Sequence, residues 1–132
     1  MLAVTSYKKA YVDQCRAKIE QQLATYGNLA KSPALEAFAP GYFNTMLLAL
    51  DHYFLHRLRN AEGKDGNALN EVRMLCNAIM ENGGVMIPDK SIKYDAAKSV
   101  TKLAFGDAIR LDAAVFQRLA KAFFDEIETR YP

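Results

Sequence analysis

At 132 residues, with 51% hydrophobic and 24% charged side chains, the chain has the length and composition of one globular domain, and disorder does not fit it. A chain of this size buries roughly two-thirds of its unfolded surface, so it needs neither metal nor disulfide to fold. The formal net charge of +2 is too small to point to nucleic acid, and no apolar run approaches the length of a membrane span.

The first helix is expected over about Ser6 to Tyr26, with Ser6 as its N-cap. Val12, Cys15, Ile19, Leu23 and Tyr26 recur at spacings of three and four and form one buried stripe. Lys8, Lys9, Arg16 and Lys18 lie mostly off it, as a solvated face, and Gly27 supplies the stop. Ser32-Pro33 opens a short second helix, since serine caps it and proline at the first position loses no needed hydrogen bond. Pro40-Gly41 is expected to end or redirect that helix.

A third helix is then read from Tyr42 to Asn60, with Phe43, Met46, Leu47, Leu50, Phe54 and Leu58 as its core stripe. Leu48 and Leu55 widen the apolar arc, which makes this the expected central helix. The loop Glu62-Gly63-Lys64-Asp65-Gly66 follows and is expected to be an ordered bend packed against that helix. Asn67 caps a fourth helix of about Ala68 to Glu81, which buries Val72, Leu75, Cys76, Ile79 and Met80. Asn82-Gly83-Gly84 stops it. The period then shortens. Ile92 and Tyr94 alternate, and Leu103, Phe105, Ile109 and Leu111 share parity around Gly106-Asp107, which predicts a small β-hairpin with a three-residue turn. Asp112 caps the last helix, with Leu111 and Phe116 placed as a hydrophobic staple and Phe116, Leu119, Ala120, Phe123 and Ile127 as the core stripe. The fold class is therefore mainly α: a single-domain bundle of about five helices around a central third helix, with a small β-hairpin before the C-terminal helix.

The densest polar cluster lies beside the most apolar run. On a continuous helix His52 and His56 project from the same side, one turn apart, a spacing that can share a metal ion. Tyr53 stands where a zinc protease needs glutamate, and a third ligand would have to come from Asp65, Asn70 or Glu71. The bland alternative is two partly exposed imidazoles bonded to loop carbonyls or to Glu71. Arg57, Arg59, Lys64 and Arg73 can hold an anion together with the first amides of the fourth helix. Glu62, Asp65 and Glu71 nearly neutralise those cations, so salt bridges pinning the loop are the competing reading. The candidate ligand or anion site is thus His52, His56, Arg57, Arg59, Lys64, Asn70, Glu71 and Arg73. The loop matches neither a Walker pattern nor an EF-hand. No metal site, cofactor or catalytic residue is assigned. Cys15 and Cys76 fall on apolar faces and read as buried reduced thiols.

A small helical chain with His-Arg pairs has an outline similar to the HEPN ribonucleases. Their motif places a histidine four to six residues after an arginine and a polar residue, and no arginine precedes His52 or His56 at that spacing. The run Asp-His-Tyr-Phe-Leu-His-Arg-Leu-Arg, followed by Gly-Lys-Asp-Gly-Asn-Ala-Leu-Asn-Glu-Val-Arg, resembles a family of small bacterial helical proteins of unknown function. The likeness extends through Ile92–Tyr94 and the final helix, and it implies a recurring bacterial fold without an activity. With no signal-peptide core at the start, a cytoplasmic protein is expected. Two functions follow. One is a non-enzymatic interaction or ligand-binding protein using spare aromatic surface at Tyr7, Tyr11, Phe124 and Tyr131, with a homo-oligomer, a protein partner or a small anionic ligand. The other is an enzyme acting on a phosphate-bearing substrate through His52, His56 and the arginines.

Overall fold

The computed structural model describes residues 3–132. Five α-helices follow one another: α1 (Lys9–Gly27), α2 (Pro33–Tyr53), α3 (Arg59–Glu62), α4 (Ala68–Glu81) and α5 (Ala113–Arg130), with a 3-10 turn at Ala96–Lys98 before the last. α5 packs against α1, α2 and α4, and α2 also packs against α1 and α4. No helix among the described residues is long and apolar enough to cross a membrane.

α1 starts two residues later than the serine cap predicts. Lys8 holds the N-cap position without a side-chain hydrogen bond, and Val12, Cys15 and Ile19 are the buried stripe. Leu23 and Tyr26 pack at the edge of the core.

The expected second and third helices are one helix. Ser32 caps α2 by accepting from the Leu35 amide at 3.0 Å, with Pro33 in the first turn, and the helix runs on through Pro40. Proline inside a helix costs about 3 kcal/mol. The burial pattern explains why the helix continues. Ala39, Phe43, Leu47 and Leu50 are buried at helical spacing on both sides of Pro40-Gly41. Each fully buried large apolar side chain contributes roughly 1.5–3 kcal/mol, so Phe43, Leu47 and Leu50 together outweigh the proline.

α2 stops at Tyr53, seven residues before the expected end at Asn60. Val4 takes the place of further helical turns: its amide donates to the His56 carbonyl at 2.8 Å and its carbonyl accepts from the Leu58 amide at 2.9 Å. Arg57 also donates to the Phe54 carbonyl. Phe54 is fully buried, while Leu55, expected to widen the core arc, is 48% exposed.

The most enclosed long helix is α4, which corrects the expectation of a central third helix. Eight of its fourteen residues are buried, Leu69 to Val72, Met74 to Cys76 and Ala78, against four of twenty-one in α2. Asn67 caps α4, accepting from the amides of Leu69 and Asn70. Met80, expected in its core face, is 69% exposed.

The predicted β-hairpin is absent: the described residues contain no strand, only isolated bridges between Val4 and Arg57 and between Val85 and Ala108. The segment around Gly106 closes a tight turn between Ala104 and Asp107 and pairs with Gly84–Met86. Met86 donates to Asp107 and accepts from Gly106, and Ile109 donates to Gly84. Asn44 of α2 then clamps the segment by donating to the Ile109 carbonyl and accepting from the Leu111 amide. Ile109 and Leu111 are thereby buried and Phe105 is left 48% exposed, so the shared parity does not mark one buried face. α5 begins at the predicted cap, Asp112, which accepts from the Val115 amide at 2.8 Å. Phe124 and Tyr131, read from the sequence as spare aromatic surface, are buried.

Candidate functional site

The polar cluster is built around a residue outside the predicted set. Glu62 closes α3 and has no exposed surface. Arg73 grips it bidentately from α4, its Nε donating to Oε2 at 3.1 Å and its Nη2 to Oε1 at 2.7 Å. Arg57 donates its Nε to Oε1 at 2.8 Å, and Asn70 donates its Nδ2 to Oε2 at 2.8 Å. Burial alone would raise the Glu62 carboxyl pKa. The Arg73 hydrogen bond, the charges of Arg57 and Arg73 and the Asn70 bond outweigh it and hold the pKa below its ordinary 4.5. Asp51 supplies a second carboxylate 3.0 Å from Arg57 Nη1, so buried Arg57 and part-exposed Arg73 face two anions. That contact is an ion pair without hydrogen-bond geometry, and Asp51 Oδ1 has no hydrogen-bond donor among the described residues.

The loop from Gly63 to Asn67 is held from every side. Asn67 donates to the Glu62 carbonyl and to Asp65, and the Gly66 amide donates to Asn70 Oδ1. Arg130, at the end of α5, donates to the Glu62 carbonyl and pairs with Asp65 at 3.5 Å. Lys93 donates its amide to the Lys64 carbonyl at 2.8 Å. Gly66 has φ +86, and a Cβ there would sit 2.2 Å from the Lys93 carbonyl oxygen, so the close approach requires glycine. The loop therefore packs on α3, the start of α4, the end of α5 and the Lys93 segment.

Asn70 and Glu71 are both buried, but they face different tasks. Glu71 accepts from the amides of Val100 and Thr101, both at 2.9 Å, and from the Thr101 hydroxyl at 2.7 Å. It anchors the 99–103 segment and is taken up there, away from the histidines. Arg59 and Lys64 are exposed.

His52 and His56 are also exposed, and Arg73 does not line the cleft that they share. Because α2 ends at Tyr53, His56 is not on the same helix as His52, and the one-turn geometry does not apply. The two imidazoles instead share a cleft of about 420 Å³ with Val4, Tyr7, Tyr11, Tyr53 and Leu55. Tyr7 and Tyr11 stack at 6.0 Å between ring centroids and 17° between planes, and the Tyr11 hydroxyl donates to the Tyr53 carbonyl at 2.5 Å. Burial pushes the Tyr7 phenol up to about 12, against the opposing pull of Arg57. Tyr7 Oη and Arg57 Nη2 are buried without a hydrogen-bond partner among the described residues. The candidate third metal ligands are committed elsewhere: Asp65 to Asn67 and Arg130, Asn70 to Glu62 and Gly66, Glu71 to the 100–101 amides. Among the described residues no group of three or more His, Cys, Asp or Glu is placed to hold a metal ion. Cys15 and Cys76 are free, buried, and far from the nucleophilic range, since burial raises both thiols.

The structure thus brings together Arg57, Asn70 and Arg73, sets His52 and His56 in a separate cleft, and leaves Arg59 and Lys64 at the surface. Sequence reasoning missed Glu62 as the hub, and Tyr7, Tyr11 and Tyr53 as the histidines' neighbours. The one available signal was charge count: Glu62 is the acidic residue nearest in sequence to Arg57 and Arg59 on their C-terminal side. No family model, curated protein or solved structure matches the chain.

Proposed function

We propose that this chain is a non-enzymatic interaction or ligand-binding protein, with the tyrosine–histidine cleft as its contact surface. One observation carries the reading: the groups that phosphate chemistry would need together are apart. Arg57 and Arg73 are spent on the buried Glu62, while His52 and His56 face an open cleft walled by tyrosines. A cleft of about 420 Å³ lies within the roughly 300–1,000 Å³ range of small-molecule sites. The reading takes no activity from the small bacterial proteins that the 51–73 stretch resembles.

The test is a ligand screen on the intact chain, followed by imidazole and tyrosine ring signals in NMR. Neutral, cationic and anionic small molecules and short peptides form the panel. Movement of His52, His56 and Tyr11 signals by one class supports the cleft. A panel in which every class leaves those signals still, with the protein folded, overturns it. Exposed Leu29, Phe38, Met80 and Phe105 lie outside this cleft and offer surface for a second copy, which light scattering after size exclusion reads directly.

The enzymatic alternative keeps one observation in its favour: both imidazoles line the same open cleft and can serve as acid and base. Phosphomonoester and phosphodiester hydrolysis, assayed with and without divalent metals, tests it. Turnover abolished by His52→Ala or His56→Ala would replace the binding reading with this one.

A further inference from the structure

We infer that the cleft takes a planar aromatic anion, an inference that rests on the cleft being the contact surface. The walls supply ring faces and apolar edges: Tyr7, Tyr11 and Tyr53, with Val4 and Leu55. Such surfaces stack on any flat π-system and discriminate little between ring types. The polar part of the lining offers N–H donors and no anion. It contains two imidazoles and no carboxylate. A neutral imidazole still donates one N–H, so His52 and His56 can both bond an anion near neutral pH.

One cation stands beside the cleft. The Lys18 ammonium lies 5.6 Å from the centre of the Tyr53 ring. Arg57 follows His56 in sequence, is 3% exposed, and keeps Nη2 without a hydrogen-bond partner among the described residues. Tyr7, which lines the cleft, feels that guanidinium directly. Arg57 is itself balanced, by Glu62 at 2.8 Å and by Asp51 at 3.0 Å. A cationic ligand would therefore find Lys18 nearby and no carboxylate in the lining, whereas a phosphate or carboxylate on an aromatic ring meets the imidazole donors while its ring meets the tyrosines.

Nucleoside monophosphate is the probe that carries both features. The intact chain is titrated with AMP, adenosine, ribose 5-phosphate and inorganic phosphate, and the His52, His56 and Tyr11 ring signals are followed. AMP is expected to bind at least about tenfold more tightly than each of the other three. His52→Leu/His56→Leu, which takes away both N–H donors, should remove most of that advantage over adenosine. Adenosine as tight as AMP would overturn the anionic requirement, and ribose 5-phosphate as tight as AMP would overturn the aromatic one. Movement of the cleft by cationic or aliphatic probes, with AMP inert, would sink the ligand class and leave the cleft standing. Silence toward the whole panel would sink the cleft itself.

Discussion

Replacing Glu62 by alanine would leave Arg57 buried with its main counter-charge gone and free Arg73 from its bidentate partner. Breaking a buried pair from one side costs about 3–5 kcal/mol, because the stranded charge has no water to turn to. Glu62→Ala should therefore lower unfolding stability by that amount in urea titration, and a change below about 1 kcal/mol would show that the hub is dispensable. Gly66→Ala tests the loop independently. Its positive φ and the 2.2 Å approach to the Lys93 carbonyl predict a loss of about 2–3 kcal/mol, again read by denaturation. The glycines, the Asn67 cap and the Asp112 cap were legible in the sequence because each acts on its own neighbours within a few residues. Glu62 was legible only in part: charge count read it as a partner of the arginines, but its burial and its place between Arg57 and Arg73, five and eleven residues away, depend on the geometry of the intervening turn.

At the scale of elements, α2 and the segment after α4 show opposite failures of local rules. Pro40-Gly41 is a strong local stop, yet burial of Ala39, Phe43, Leu47 and Leu50 along one stripe carries the helix through it. The proline amide nitrogen has no hydrogen to give the Glu36 carbonyl. Pro40→Ala restores that bond and should raise stability by about 1–3 kcal/mol; a fall in the denaturation midpoint would mean that the proline shapes the helix in a way the core requires. The 99–103 segment lacks any regular element, and its order depends on Glu71 from α4. Glu71→Gln keeps one acceptor oxygen and loses the charge. Amide exchange at Val100 and Thr101 should then speed up by about tenfold or more while α5 stays protected; unchanged exchange would place the anchor elsewhere. Alternation at Leu103, Phe105, Ile109 and Leu111 suggested a hairpin because period alone cannot register pairing with Gly84–Met86 and the clamp from Asn44.

At the scale of the whole molecule, Glu62 joins parts of the chain that are distant in sequence. Its side chain holds Arg57 beyond α2 and both Arg73 and Asn70 in α4, and its carbonyl accepts from Arg130 at the end of α5. The same corner receives both ends of the described chain. Val4 bridges His56 and Leu58, the Tyr7 amide donates to the Tyr131 carbonyl, and the Tyr131 hydroxyl donates to the Leu58 carbonyl at 2.7 Å. Protonating Glu62 should therefore loosen several elements together. The sign follows from its depressed folded-state pKa: the carboxylate binds protons more readily in the unfolded chain, whose ordinary value is 4.5. Its contribution is present above 4.5 and is lost as the pH falls from there through the lower folded-state value. Unfolding free energy measured between pH 7 and pH 3 should fall on acidification below that point, with tyrosine fluorescence and helical circular dichroism moving together. Glu62→Gln should start less stable at pH 7 and show a shallower acid limb, since the group that titrates is gone. Asp65, held below its ordinary 3.8 by Asn67 first and Arg130 next, is largely exposed and leaves a residual slope in that variant. An acid limb equally steep in Glu62→Gln and wild type would remove Glu62 from the pH response and assign it to the surface carboxylates.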